Sequence, residues 1–331
     1  MKTAYFDCPS GASGDMILGA LVDAGLDAGA IQRSLETLSI ERFRIETERR
    51  MRGGIAATGV RVIVEEQAKP RGFSAIAAAI AASALPEGVK ERATRIFRLL
   101  GEAEAAVHAI PLEKVHFHEV GAVDAIVDVV GAVIGLHLLG VETVRASAPA
   151  TGTGEVRASH GVLPIPAPAT AALLRGRSVR FTEVNGELLT PTGAAILVGL
   201  TDSFGPPTRF RIDRVAYGAG EADRKELPNV LRLFLGEEAG GLGLEAVVLL
   251  ETDVDDVPAE ILGHLFERAF AAGALDLVLL PAQMKKNRPG HRISLLVRPA
   301  DRDRMTRLLM EETGTLGVRM SELARAVLAR E

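Results

Sequence analysis

The sequence predicts an α+β protein, with a larger N-terminal α/β domain over residues 1–240 followed by a small ferredoxin-like domain over residues 244–331. Three observations carry this expectation. The chain opens with a strand, a Gly-rich loop and a helix. The run GEEAGGLG, Gly236 to Gly243, is its clearest linker. Beyond that run, the hydrophobic pattern follows a strand-helix-strand-strand-helix-strand order, which is the ferredoxin-like split unit.

The 331 residues are long enough for two domains, and 47% hydrophobic with 24% charged residues describes a globular chain. A net charge of −5 gives no electrostatic reason to expect nucleic-acid binding, because a phosphate-tracking surface needs an excess of Lys and Arg. The single cysteine, Cys8, excludes an internal disulfide and fits a reducing compartment, so a cytoplasmic location is expected. No charged-then-apolar leader opens the chain. No apolar run reaches the ~18 to 20 residues of a membrane helix.

In chain order, Ala4 to Phe6 reads as a short strand, DCPSGASGD as a tight loop, and Met16 to Ala24 as a helix ending near Gly25. The loop can present backbone N–H groups to an anion, yet it lacks the Lys and spacing of a P-loop and carries Asp7 and Asp15. Carboxylates beside such amides suit a metal. A capping Asp15 and a buried structural Cys8 are the plainer alternative. A helix over Ala28 to Leu38 precedes two strands, RFRIETERR and GVRVIVEE, joined at Gly53-Gly54. Two Ala-rich helical patterns, Ser74 to Ala84 and Lys90 to His108, lead to the densest segment of the chain.

That segment is HFHEVGAVDAIVDVVGA, His116 to Ala132. In an extended stretch His116 and His118 share a face and Glu119 points away. From Val120 the apolar residues recur at helical spacing. Beside them runs a stripe of Gly121, Asp124, Asp128, Gly131 and Gly135, which implies close approach of another backbone or of a ligand carrying cations. A helix this apolar is expected to be buried, and buried carboxylates need a cation, an Arg or a metal; hydrogen-bonded structural histidines and a solvated face carrying Asp124 and Asp128 are the plainer alternative.

Val144 to Thr170 reads as loop-rich, with His160 as either a base or ligand or a turn residue. GELLTPTGAAILVGL reads as a strand, a turn and a small-residue helix. Thr190 and Thr192 either cap that helix or hold a phosphate or carboxylate. YGAGEAD and PNVLRLFLG give a Gly-rich turn and a strand. In the small domain, Asp253, Asp255 and Asp256 end the first strand before Pro258 opens a helix, and MKKNRPG places Lys285, Lys286 and Arg288 in a turn. Hard carboxylates with nearby cations suit a metal-bound triphosphate. An N-capping Asp256 and a solvated basic hairpin are the alternative.

HFHEVGAVDAIVDVVGA, together with YFDCPSGASGDM, ELLTPTGAAIL and ETDVDD…MKKNRPG, closely resembles the nickel-insertion proteins of nickel-pincer nucleotide cofactor synthesis, the LarC family. The match runs in consistent order from Tyr5 to about Arg319. It implies an enzyme that uses CTP with Mn²⁺ or Mg²⁺ to insert Ni²⁺ into pyridinium-3,5-bisthiocarboxylic acid mononucleotide. It also implies lactate racemase as acceptor of the product and a homo-oligomeric state. The candidate catalytic group is His116, His118, Glu119 and Asp124. Candidate metal ligands are Asp7, Cys8, Asp15, His116, His118 and Asp128, with Asp253, Asp255 and Asp256 in the small domain. Candidate nucleotide contacts are Thr190, Thr192, Lys285, Lys286 and Arg288. Two departures matter. The histidine-rich tract of many relatives is missing between Glu65 and Phe73, which counts against a high-capacity nickel store, and Asn287 stands where relatives have Gly, a change that a left-handed turn tolerates. Relatives also continue past the end of this chain, implying an incomplete small domain. A nickel-binding protein without turnover and a metal-dependent nucleotide phosphohydrolase are the competing readings.

Overall fold

The computed structural model describes the chain except residues 66–70, 116, 118–120, 159–160, 202, 208, 239–242 and 328–331, and the side chains of 203, 243 and 244. The chain divides into two compact units, Met1–Ala239 and Gly240–Glu331. Among the described residues no helix is long and apolar enough to cross a membrane.

In the first unit β1 (Lys2–Asp7) leads through the Gly-rich loop into α1 (Gly14–Asp23) and α2 (Ala28–Leu35). A hairpin of β2 (Phe43–Arg52) and β3 (Ile55–Val64) follows, turning on Gly53 and Gly54, both at positive φ as a two-residue loop between right-twisted strands requires. Next come α3 (Phe73–Ala82), α4 (Glu87–His108) and α5 (Val123–Leu138). The region expected to be loop-rich instead forms short strands: β4 (Thr143–Ala146), β5 (Ala150–Thr153), β6 (Glu155–Ala158) and β7 (Gly161–Pro164), then α6 (Pro168–Leu173). Gly and Pro cut these strands to four residues, too short for an alternating pattern to register. The strand expected at Glu187 lies earlier, as β8 (Arg180–Asn185). α7 (Pro191–Leu200), β9 (Ser203–Phe204), β10 (Phe210–Ala219) and β11 (Val230–Glu238) complete the unit, so Tyr217 to Ala219 ends a strand rather than opening a turn.

Seven strands form one mixed sheet in the order β2-β3-β10-β11-β1-β4-β9. β1 runs parallel to β4 and antiparallel to β11, its partner from late in the unit. α1 packs on β3 and β10, α5 on α1, and α4 on α5, α6 and α7. Approach of α1 to the sheet depends on glycine: a Cβ at Gly218 would meet the Met16 carbonyl oxygen at 1.8 Å, and one at Gly19 the Thr58 carbonyl oxygen at 2.3 Å. Both obstacles are backbone, so relief requires moving the helix. Gly218→Ala is therefore expected to cost about 1–3 kcal/mol or more, as overpacking does, seen as a lower denaturant midpoint for this unit.

The second unit is β12 (Gly243–Val254), α8 (Ala259–Ala271), β13 (Asp276–Gln283), β14 (Pro289–Val297), α9 (Arg302–Thr313) and β15 (Arg319–Val327). Its antiparallel sheet has the order β13-β14-β12-β15, the ferredoxin-like arrangement. Alternate residues Val248, Leu250 and Val254 of β12 and Ile293, Leu295 and Val297 of β14 meet Leu262 and Leu265 of α8 and Met305 and Leu309 of α9. The last strand starts at Arg319, later than the TLGVRM pattern suggests. Thr315 and the Gly317 carbonyl are instead engaged by the Thr252 hydroxyl, at 2.6 and 3.0 Å. The expected linker is also shorter, since β11 runs to Glu238 and β12 begins at Gly243.

Candidate functional site

A cleft of about 700 Å³ opens in the first unit. Such a volume suits a ligand the size of a mononucleotide. One wall is the start of α1. The loop before it is stitched to the segment preceding α7: Ala12 N–H donates to the Leu188 carbonyl at 3.0 Å and Thr190 N–H to the Ala12 carbonyl at 3.1 Å. Side chains have no room here. A Cβ at Gly193 would fall 2.2 Å from the Ala12 oxygen, and one at Gly11, where φ is +79°, 2.0 Å from the Leu188 oxygen. The two helix starts are thereby locked side by side. Thr190 Oγ1 accepts from Gly193 N–H at 3.1 Å, so it caps α7, and both Thr190 and Thr192 line the cleft.

The second wall is α5. Val123, Ile126, Val127 and Val130 are buried, while Gly131 receives Leu18 and Ile31, and Gly135 receives Leu21 and Leu26. The glycine stripe thus admits α1 and its neighbour. One turn earlier the same stripe carries Asp128, whose carboxylate lies so close over Gly14 that a Cβ there would overlap it at 2.3 Å. Asp15, Asp124 and Asp128 all line the cleft. Burial, then the charges of Asp15 and Asp124, hold the Asp128 carboxyl well above the ordinary carboxylate range. Asp15 is also raised by burial, against hydrogen bonds from Ser13 and the Met16 amide and the charge of Arg50. A divalent ion bound between these carboxylates would offset both the desolvation cost and the mutual repulsion.

The remaining expected ligands are distributed unevenly. Asp7 lies at the end of β1 in an ion pair with Arg232, 2.5 Å from its Nη2. Cys8 is wholly buried, its thiol donating to the Phe6 carbonyl at 3.7 Å and kept protonated chiefly by burial. Neither lines the cleft, so of the three candidate ligands in the first loop Asp15 alone reaches it. His116, His118, Glu119 and His160 lie outside the described residues. Among the described residues, no three His, Cys, Asp or Glu side chains converge on one point.

The cleft also contains groups that sequence reasoning missed. Glu104 and His108, paired at 3.5 Å on the last turn of α4, line it, as do Arg50, Arg61 and Arg224. The Arg50 side chain is only 9% exposed; its Nε and Nη2 are held by Glu48 at 2.7 and 2.6 Å. Arg224 donates Nη1 and Nη2 to the carbonyls of Asn185 and Glu187, both at 2.8 Å.

In the second unit, Asp253 accepts from Arg292 at 2.8 and 3.2 Å and from Arg319 at 3.1 Å, contacts that hold its carboxyl below the usual range. Asp255 accepts from Arg288 at 3.1 Å through one oxygen, and Asp256 is exposed. The turn carrying Lys285, Lys286 and Arg288 does fold back to the end of β12, with Lys286 and Asn287 at φ +61° and +59°. A groove beside it is lined by Asp255, Gln283, Gly290 and His291. Cations outnumber carboxylates at this end of the sheet, and Asp253 is saturated by arginine rather than open to a metal.

Comparison with known proteins supplies the lineage. The family model described as nickel insertion protein matches residues 4–331. A protein of Geobacter sp. (strain M21) named as a nickel insertion protein is 48% identical over 331 residues, covering 100% of this chain and 86% of that one. The pyridinium-3,5-bisthiocarboxylic acid mononucleotide nickel insertion protein of Desulfitobacterium hafniense (strain DSM 10664 / DCB-2) is 45% identical over 337 residues, covering 100% and 84%. A solved structure of LarC2, the C-terminal domain of a cyclometallase involved in the synthesis of the NPN cofactor of lactate racemase, is 36% identical across 27% of this chain and 62% of that one, with a TM-score of 0.27. With near-complete coverage by the family model and by relatives at this identity, the chain belongs to the nickel insertion protein family.

Proposed function

We propose that the chain inserts nickel into pyridinium-3,5-bisthiocarboxylic acid mononucleotide, acting as a nickel chelatase with CTP as co-substrate, and that the product serves lactate racemase. The observation that carries this reading is the placement of Asp15, Asp124 and Asp128 around one cleft of mononucleotide size. Nickel enters as substrate and must leave bound to the product. A site of few carboxylates holds the ion less tightly than a closed four-ligand cage. The two thiocarboxylate sulfurs of the pyridinium then compete for it. When the Ni–C bond forms between them, the ring C–H bond breaks and its proton is lost, so nickel stays divalent and no electron carrier is required.

CTP is assigned to the second unit. Lys285, Lys286 and Arg288 supply the charge that a triphosphate requires, and Asn287 lets their turn adopt its left-handed geometry. Asp255, which has one oxygen outside its ion pair, and the exposed Asp256 would hold Mn²⁺ or Mg²⁺, an ion that neutralises phosphate oxygens. Asp253 is assigned no metal, because its arginines already satisfy it.

The test is reconstitution. Purified protein given CTP, Mn²⁺, Ni²⁺ and the bisthiocarboxylate precursor is expected to release pyrophosphate and to activate lactate racemase apoprotein. Nickel binding that ignores CTP, with no pyrophosphate and no activation, would sink the assignment.

A further inference from the structure

Two arginines in the cleft of the first unit each keep a buried nitrogen donor without a partner among the described residues: Nη1 of Arg50 and Nε of Arg224. A buried donor left unsatisfied costs free energy, and such groups are rare enough in folded proteins that each asks for a reason. Neither arginine is free to turn and find one. Arg50 lies flat over Gly59, where a Cβ would meet its Nε at 2.6 Å, and Glu48 grips the other side of its guanidinium. Arg224 is fixed by two backbone carbonyls. They come from different parts of the fold, the end of β2 and the segment between β10 and β11, yet line the same cavity. Arg61 adds a third positive charge there, tied to Glu221 at 3.2 Å.

We infer that Arg50 and Arg224 form the seat of a phosphate monoester, namely the phosphate of the pyridinium mononucleotide; the assignment rests on the substrate reading proposed above. Guanidinium groups that line the cleft in fixed positions, each with an unpartnered donor, match an anion bearing several terminal oxygens, and arginine suits phosphate through directed, charge-assisted hydrogen bonds. The cleft is then polarised along its ligand. Arginines from β2 and the β10–β11 segment hold the phosphate, and carboxylates from α1 and α5 face the nickel. Binding energy taken from the non-reacting phosphate orients the ring over the metal.

Calorimetry without nickel tests the assignment, using the pyridinium mononucleotide, its dephosphorylated nucleoside and CTP as separate ligands. The native chain is expected to bind the mononucleotide about ten- to hundredfold tighter than the nucleoside. In Arg50→Met and in Arg224→Met that ratio should collapse towards one, with nucleoside and CTP affinities unchanged. Arg50→Lys, which retains charge but not the fork, should recover part of it. Melting curves check folding, and if Arg50→Met does not fold, Arg224→Met and Arg50→Lys decide alone. A ratio untouched by the substitutions, or equal losses for nucleotide and nucleoside, would overturn the phosphate seat while leaving the substrate reading intact. Selective loss of CTP binding would overturn it in favour of the triphosphate. A native chain that binds neither pyridinium ligand would refute the substrate reading itself, and the seat with it.

Discussion

Asp128→Asn is expected to fold, to be more stable than the native chain at pH 8, and to lose nickel insertion by on the order of a hundredfold or more, the scale on which metal-site residues act. The carboxylate sits over Gly14 with Asp15 and Asp124 beside it, and its pKa in the folded state is raised well above the ordinary value. A group raised in this way favours the folded state below its unfolded pKa, about 3.9. That contribution is lost as pH rises through the higher folded value. The amide has the same shape and cannot ionise, so the variant should escape that loss. Its Tm advantage should be visible at pH 8, at about 2–4 °C for each kcal/mol, and should vanish near pH 4. Nickel added to the native chain should reverse the order, because only the carboxylate gains from the ion. Equal melting temperatures at all pH values, or full activity in the variant, would mean that Asp128 is a packing residue.

Lys285→Ala should weaken CTP binding about tenfold to hundredfold, the range for a lost charge-assisted contact, and added Mn²⁺ should not restore it. Asp255→Ala should instead raise the CTP requirement in a way that excess Mn²⁺ partly recovers. The contrast follows from the parts: a missing phosphate contact cannot be replaced by filling a metal site that is intact. The ion pair of Asp255 with Arg288 sharpens it, since losing the carboxylate also releases a guanidinium for the phosphates. Titration of both folded variants with Mn-CTP measures the pair. Unchanged affinity in both would make this turn a solvated hairpin.

The small unit could be read from its sequence because its strands are long and one-sided. Ile293, Leu295 and Val297 of β14 alternate with less buried residues for long enough to register, and Asn287 marks a turn it then makes at φ +59°. The sheet order of the large unit could not be read. β1 lies between β4 and β11, and nothing local to β1 announces a partner from so late in the chain. The glycines of α5 did signal a close neighbour, which is α1, but not that Gly14 would receive Asp128. Arg50 escaped notice because FRIETERRMR looks like a solvated strand. The available signal was Gly59 on the paired strand, a mid-strand glycine of the kind that marks close approach, here of the Arg50 guanidinium. Cys8 was overvalued for its ligand chemistry. The apolar surroundings that bury it come from distant segments and keep its thiol protonated.

Nickel is expected to be held in the cleft of the first unit, by α1 and α5. Anomalous diffraction from crystals soaked in Ni²⁺, recorded on both sides of the nickel absorption edge, tests it most directly. A nickel peak is expected in that cleft, in contact with Asp15 or Asp128. A nickel peak confined to the Gly240–Glu331 unit, or to surface histidines remote from both carboxylates, would contradict it.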